Sequence, residues 1–190
     1  MSESFFQDRE FTSLDFSAEA LPTGEYENCI FRKCNFSGSR FSEITFSECI
    51  FENCELSNVD LTGCSFREVS FTECKMLGLN FDKCSSFLLS FSFKNSILNY
   101  SSFFKLKIKN TLFQNCRLQE VDFSDADLSG ANFDHSDLSG TIFYNSRLEK
   151  ADFSTANNFS IDPENNIITA AKFSSQNLRG LLNKYKIEIL

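Results

Sequence analysis

A period of five residues, held for about 150 residues, is the feature that most narrows what this chain can fold into. From Phe6 every fifth residue is large and apolar: Phe6, Phe11, Phe16, Leu21, Tyr26, Phe31, Phe36, Phe41, Phe46, Phe51, Leu56, Leu61, Phe66, Phe71, Met76 and Phe81. The phase then slips by two and resumes at Leu88, Phe93, Leu98, Phe103, Ile108, Phe113, Leu118, Phe123, Leu128, Phe133, Leu138, Phe143, Leu148 and Phe153. Two residues before these centres lies a smaller slot, and all 8 cysteines of the chain follow that spacing. They are Cys29, Cys34, Cys49, Cys54, Cys64, Cys74, Cys84 and Cys116, and Ala126, Ala131 and Ala151 take the same slot later. Period five fits neither the helical 3.6 nor the strand 2.0. Two inward residues in every five, without drift, require a chain that turns a corner at each pentad: a solenoid.

Ala126-Asp127-Leu128-Ser129-Gly130, Ala131-Asn132-Phe133 and Ala151-Asp152-Phe153 match the consensus A(D/N)LXX, and on these residues the chain resembles the pentapeptide-repeat family over roughly residues 6 to 158. The resemblance implies an all-β fold, a right-handed quadrilateral parallel β-helix with four pentads per coil, so that residues twenty apart stack on one face. About 7.5 coils at the ~4.8 Å strand spacing give a rod roughly 35 Å long. Four sides also follow from the residues themselves. From Phe93 to Phe153 the centres alternate Phe with Leu or Ile, which places Phe columns on two opposite faces and aliphatic columns on the other two. The domain reading is a β-helix over 1–160 with a phase break at 82–88, just after which Phe91 enters a small-residue slot, then a distinct tail over 161–190.

Enzyme chemistry finds little support. The single histidine, His135, lies between Asp134 and Ser136, but adjacent residues along a strand do not converge as a hydrolytic triad must. The cysteines are spaced by five rather than by the two to four of structural zinc sites, and their columns (Cys34/54/74, Cys29/49, Cys64/84) point into the interior as small hydrophobes. No enzyme activity, metal or cofactor is expected. No signal peptide or membrane span is read either, so a cytoplasmic protein with reduced thiols is expected.

Charge says more. Lys+Arg number 18 and Asp+Glu 26, a formal net charge of −8, which disfavours direct nucleic-acid binding. The charge is banded: net −9 over residues 1–82, 6 bases without an acid over 83–118, and 6 acids without Lys or Arg over 119–146. Asp8, Asn28, Glu48 and Glu68 share one outward column, and Glu120, Asp122, Asp125, Asp127, Asp134 and Asp137 form an acidic collar. Glu48, Glu68 and the collar are the candidate protein-binding residues, presenting carboxylates where a duplex presents phosphates. Phe104 follows a centre and is read as an outward contact.

In the tail, Asp162 to Asn166 reads as a turn, and Ile167 to Phe173 as a returning strand. Ser174 or Ser175 is placed as the cap of a helix whose Leu178, Leu181, Leu182 and Tyr185 share one face, weakened by Gly180. Lys186 to Leu190 reads as a short strand. Rod length, acidity, the central break and this tail are similar to the Qnr and MfpA type branch, whose members bind DNA gyrase and protect it from quinolones. That likeness implies gyrase as protein partner and a homodimer through Leu178, Leu181, Leu182, Tyr185, Ile187 and Ile189. The competing reading is a scaffold for some other protein.

Overall fold

The computed structural model describes residues 4–188. The chain winds as a parallel solenoid in which the pentads from Tyr26 to Phe153, the break excepted, bury their centre and the smaller slot residue inside. Two faces carry regular ladders. On the first face β1 (Ser4–Gln7), β3 (Gly24–Glu27), β5 (Ile44–Ser47) and β7 (Ser65–Arg67) form one parallel sheet. On the second, β2 (Glu10–Thr12), β4 (Ile30–Arg32), β6 (Ile50–Glu52), β8 (Val69–Thr72), β9 (Phe91–Lys94) and β10 (Phe113–Gln114) form another. The third and fourth faces are held by single bridges, such as Asp15 to Asn35 to Glu55 to Lys75 and Ser102 to Asp122 to Ile142.

Register confirms four sides. Partners lie twenty residues apart, as in Phe31↔Phe51 and Phe93↔Phe113. On the second face an unbroken column of rings runs Phe11, Phe31, Phe51, Phe71, Phe93, Phe113, Phe133, Phe153 and Phe173, with neighbouring centroids 4.7–5.3 Å apart and nearly parallel. On the fourth face Phe81, Phe103, Phe123 and Phe143 stack likewise. Rings of the two columns meet edge to face across the interior, Phe113 to Phe123 at 5.6 Å. The interior is thus filled along the axis and across it, in the geometries aromatic quadrupoles favour.

All eight cysteines are buried and unpaired. Their slot does more than save space. The Sγ of Cys49 lies 3.2 Å from the Tyr26 carbonyl one coil below, and the hydroxyls of Ser136, Thr141 and Ser146 donate to the carbonyls of Phe113, Leu118 and Phe123. Where the slot holds Cys, Ser or Thr, the side chain also has a donor for a carbonyl of the preceding coil; Ala126, Ala131 and Ala151 fill the same slot by size alone.

The phase break corrects one expectation. Leu88 is not an inward centre: it is 64 % exposed, at φ +56°. The break lengthens one coil by two residues, so Phe71 pairs with Phe93 and Lys75 with Ile97. The extra residues leave the wall of the first face as a loop over 85–90, and the first sheet ends at β7. The missing centre is replaced from the neighbouring slot by Phe91, only 6 % exposed and packed on Phe81 and Phe93, with Leu89 partly buried beside it. A large residue in a small slot offsets the residue pushed outside.

The tail differs from expectation too. The ladder does not stop at residue 160, since Ile167 bridges Arg147 and Lys172 bridges Asp152. In place of an amphipathic α-helix come two 3-10 segments, Leu178–Leu181 and Asn183–Tyr185. Leu178 and Tyr185 are exposed, while Gly180 is buried against the Phe159 ring and carbonyl. The glycine read as a weakness is therefore the contact point: a Cβ there would run into Phe159. Neither Ser174 nor Ser175 caps the first segment; Asn177 precedes it, and its Nδ2 donates to the carbonyls of Phe153 (3.1 Å) and Ala156 (3.0 Å). Those are carbonyls of the last coils, so Asn177 closes the rod's end rather than a helix end. Lys186 turns left-handed, and Ile187 and Glu188 form no strand.

Candidate protein-binding surface

The candidate acids divide by their place in the pentad. Glu48, Glu68, Glu120 and Asp125 occupy the corner two residues after a centre, each with φ between +54° and +57°. Left-handed backbone costs an L-residue about 1–2 kcal/mol, but the corner turns the side chain away from the coil. Asp8, Asn28, Glu48 and Glu68 do form a column there, all at positive φ, and Asn28 donates to Asp8 at 2.6 Å.

Asp122, Asp127 and Asp137 lie one residue before a centre, and each closes its own pentad. Their Oδ1 atoms accept the backbone N–H of Ser124 (2.8 Å), Ser129 (3.1 Å) and Ser139 (3.1 Å). Burial raises the Asp137 carboxyl, but hydrogen bonds from Asn158, Ser139 and Gln119 outweigh it and hold the group below its ordinary value. Asp127 behaves likewise: burial is outweighed by Ser129 and Lys109. The same closure occurs at Asp15, Asn35, Asp60, Asn132 and Asp152. The Asp or Asn of the consensus is thus a turn-former, a role legible in the repeated Asp-x-Ser spacing and not read there.

Pairing then sorts the acids by availability. Asp127 is neutralised by Lys109 at 3.2 Å, and Asp134 has His135 at 3.7 Å and accepts from Thr155. Among the described residues, Glu48, Glu68, Glu120, Asp122, Asp125 and Asp137 have no cationic partner within 4.0 Å. The collar is therefore not uniform. Glu120, Asp122 and Asp125 form a row along one coil of the fourth face, whereas Asp134 and Asp137 lie on the second and third.

Other candidates are placed apart. Ser136 is buried and donates to Phe113, so it faces away from the exposed His135 and no triad is assembled. Phe104 is outward with Lys105 over its ring at 4.6 Å. At the C-terminal end Leu178, Tyr185 and Ile187 are exposed, while Leu181 and Leu182 are half-buried. Tyr185 donates to Glu164, and Lys184 bridges Asp162 and Glu164. Ile189 lies outside the described residues. No helix among them is long and apolar enough to cross a membrane.

Among solved structures, the fold is similar to a trypsin-treated, singly substituted form of QnrB1, described as a plasmid-mediated fluoroquinolone resistance protein. The two share 18% identity at a TM-score of 0.65, over 98% of this chain and 100% of that one. A second trypsin-treated QnrB1 variant matches at TM-score 0.56 and 18% identity, over 98% of this chain and 92% of that one. No curated protein sequence matches the chain. Two family models do: a pentapeptide repeat region over residues 24–87, and pentapeptide repeats over residues 107–145 and 116–155. These spans meet the five-residue ladder on both sides of the break, and the chain belongs to the pentapeptide-repeat proteins.

Proposed function

We propose that this chain is a non-enzymatic, acidic protein-binding rod of the cytoplasm whose partner is DNA gyrase, bound as a mimic of duplex DNA. In that role it modulates susceptibility to quinolones. The observation that supports the reading is the set of unpaired carboxylates on a stiff support. Glu48 and Glu68 stand on one corner column, and Glu120, Asp122 and Asp125 along one coil, with no cation among the described residues close enough to neutralise them. Carboxylates carried on one regular backbone, with those of Asp122 and Asp125 held by Ser124 and Asn145, project a field of one sign, and such fields steer association with basic grooves. The similarity to QnrB1 is one of fold, and gyrase as partner rests on resemblance to that branch.

The rods pair through their C-terminal ends in this reading. Leu178, Tyr185 and Ile187 are exposed beside the closed end, and symmetric pairing through one shared patch is the commonest soluble assembly. A scaffold for a different protein is the second reading, favoured by the spread of acids over several faces and by exposed Phe104 and Tyr144. Co-sedimentation with purified gyrase across a salt series separates the two. Gyrase binding that weakens as salt rises supports the mimic, and no gyrase binding supports the scaffold. Sedimentation of the chain alone tests pairing: a particle near twice 21.7 kDa is expected, and a monomer at micromolar concentration contradicts it.

A further inference from the structure

The acid row on the fourth face has apolar neighbours on both sides. One coil before it lie Tyr100 and Phe104, and one coil after it Ile142 and Tyr144. The register is set by the bridges from Ser102 to Asp122 to Ile142 and by the Asp125 N–H on the Tyr144 carbonyl. Tyr100 and Tyr144 are each 60 % exposed and Ile142 50 %. Together with Phe104, these large apolar side chains occupy the two coils that flank the acid row, on one face and its edge. Exposed apolar groups gathered in this way mark interaction sites rather than ordinary surface. Neither tyrosine hydroxyl has a hydrogen-bond partner among the described side chains, whereas buried Tyr26 donates to Pro22 and tail Tyr185 to Glu164.

We propose that this face docks an arginine-bearing segment of the protein partner, with guanidinium planes lying on the aromatic rings and their N–H groups reaching the row of Glu120, Asp122 and Asp125. The inference rests on the reading of the rod as a protein binder and names the face and the chemistry it recognises. Charge complementarity sets the occupant: three unpaired carboxylates within one coil reject an acidic or purely apolar segment. The rings select arginine over lysine, because guanidinium is planar, weakly hydrated and stacks on aromatic faces. The face already holds one cation in this way, Lys105 with its Nζ over the Phe104 ring. Asp122 and Asp125 each use one oxygen within the rod, on Ser124 and Asn145, which fixes the carboxylate and leaves the second oxygen for a ligand.

The test uses the intact chain and labelled hexa-arginine and hexa-lysine as probes, read by fluorescence anisotropy at physiological salt. Hexa-arginine is expected to bind more tightly. The double variant Tyr100→Asn/Tyr144→Ser, which changes no charge and keeps a residue that tolerates positive φ at position 100, should weaken hexa-arginine about tenfold through two lost cation–π contacts. Glu120→Gln/Asp125→Asn should weaken both probes. Glu25→Gln/Glu73→Gln, the same charge loss at two exposed acids away from this face, should change little. Equal losses from the two acid pairs, or no loss from the tyrosine variant, would overturn the proposal. Gyrase is measured on the same variants. Gyrase binding untouched by them refutes this face and leaves the gyrase reading standing, whereas selective capture of hexa-arginine without any gyrase binding supports the face and refutes gyrase as the partner.

Discussion

The two sides of the break share one inward rule and differ in how far their outer walls run as strand. Before it, the first two faces run as extended ladders, β1 to β8, and their residues just before the centres are Phe5, Glu25, Thr45 and Ser65, or Glu10, Ile30, Ile50 and Ser70. After it, β9 and β10 are the only strands among the described residues, and Asp122, Asp127, Asn132, Asp137 and Asp152 fold their side chains onto the backbone two residues on. The second face changes within one column, from strand at Phe113 in β10 to closed turn at Asn132. An Asp or Asn side chain offers the backbone an acceptor close at hand, and the pentad tightens around it. Inward residues therefore set the path of the coil, and an outward Asp or Asn is one way to close a side as a turn; Ile97, Lys107, Arg117 and Arg147 precede turns without such an acceptor.

The sharpest way to break this comparison is at the junction. Phe91→Ala should destabilise by about 3–5 kcal/mol, because the ring fills the place of a missing centre. Leu88→Ala should change stability by no more than about 0.5 kcal/mol, since its side chain is outside even though the five-residue period runs through it. Denaturant midpoints of the two variants check this directly. Equal losses would restore Leu88 as a core residue. At the closed end, Gly180→Ala forces a Cβ onto Phe159 and should cost about 1–3 kcal/mol by overpacking, read as a lowered Tm.

Closure by an outward Asp predicts a smaller effect. Asp152→Ala removes the acceptor for Ser154 and should cost about 1 kcal/mol, while Asp152→Asn keeps the acceptor and recovers much of it. A pH titration sharpens the point. The carboxyls of Asp127, Asp137 and Asp152 are held below their ordinary values in the folded chain. Groups lowered in this way bind protons more readily when unfolded, so their contribution is present above the ordinary carboxylate pKa and is lost as pH falls through the folded value. Stability should thus fall on acidification below about pH 4, and less steeply when these three are replaced by Asn. The smallest effect is a rate. Burial pushes the thiols of Cys84 and Cys116 up to about 12, so a bulky thiol reagent should label them only as fast as the chain unfolds.

How much of this was legible beforehand follows the same division. The centres and cysteines announced themselves because a narrow interior accepts few residue types, and one of each recurs every five residues. The break was visible as a phase slip, but not its remedy: Leu88 continued the period on paper, and only the geometry of a two-residue excess shows that Phe91 refills the core. The tail misled for a related reason. Leu178, Leu181, Leu182 and Tyr185 have helical spacing, yet the last coil offers a flat end in which Gly180 fits on Phe159, and that contact outweighs the periodicity. The acids were legible as a count and as columns. Their availability was not, because whether Asp127 meets Lys109 or Asp122 meets no cation depends on which residue lies one coil away.

Competition between the rod and duplex DNA for gyrase tests the proposed mimicry most directly. With gyrase saturated by a duplex long enough to fill its groove, the rod's apparent affinity should fall in proportion to duplex concentration. The Glu120→Gln/Asp122→Asn/Asp125→Asn variant, with its turn acceptor kept, should compete poorly while melting near the parent temperature. A rod that binds gyrase equally well with and without duplex, or that does not bind it at all, would contradict the mimicry.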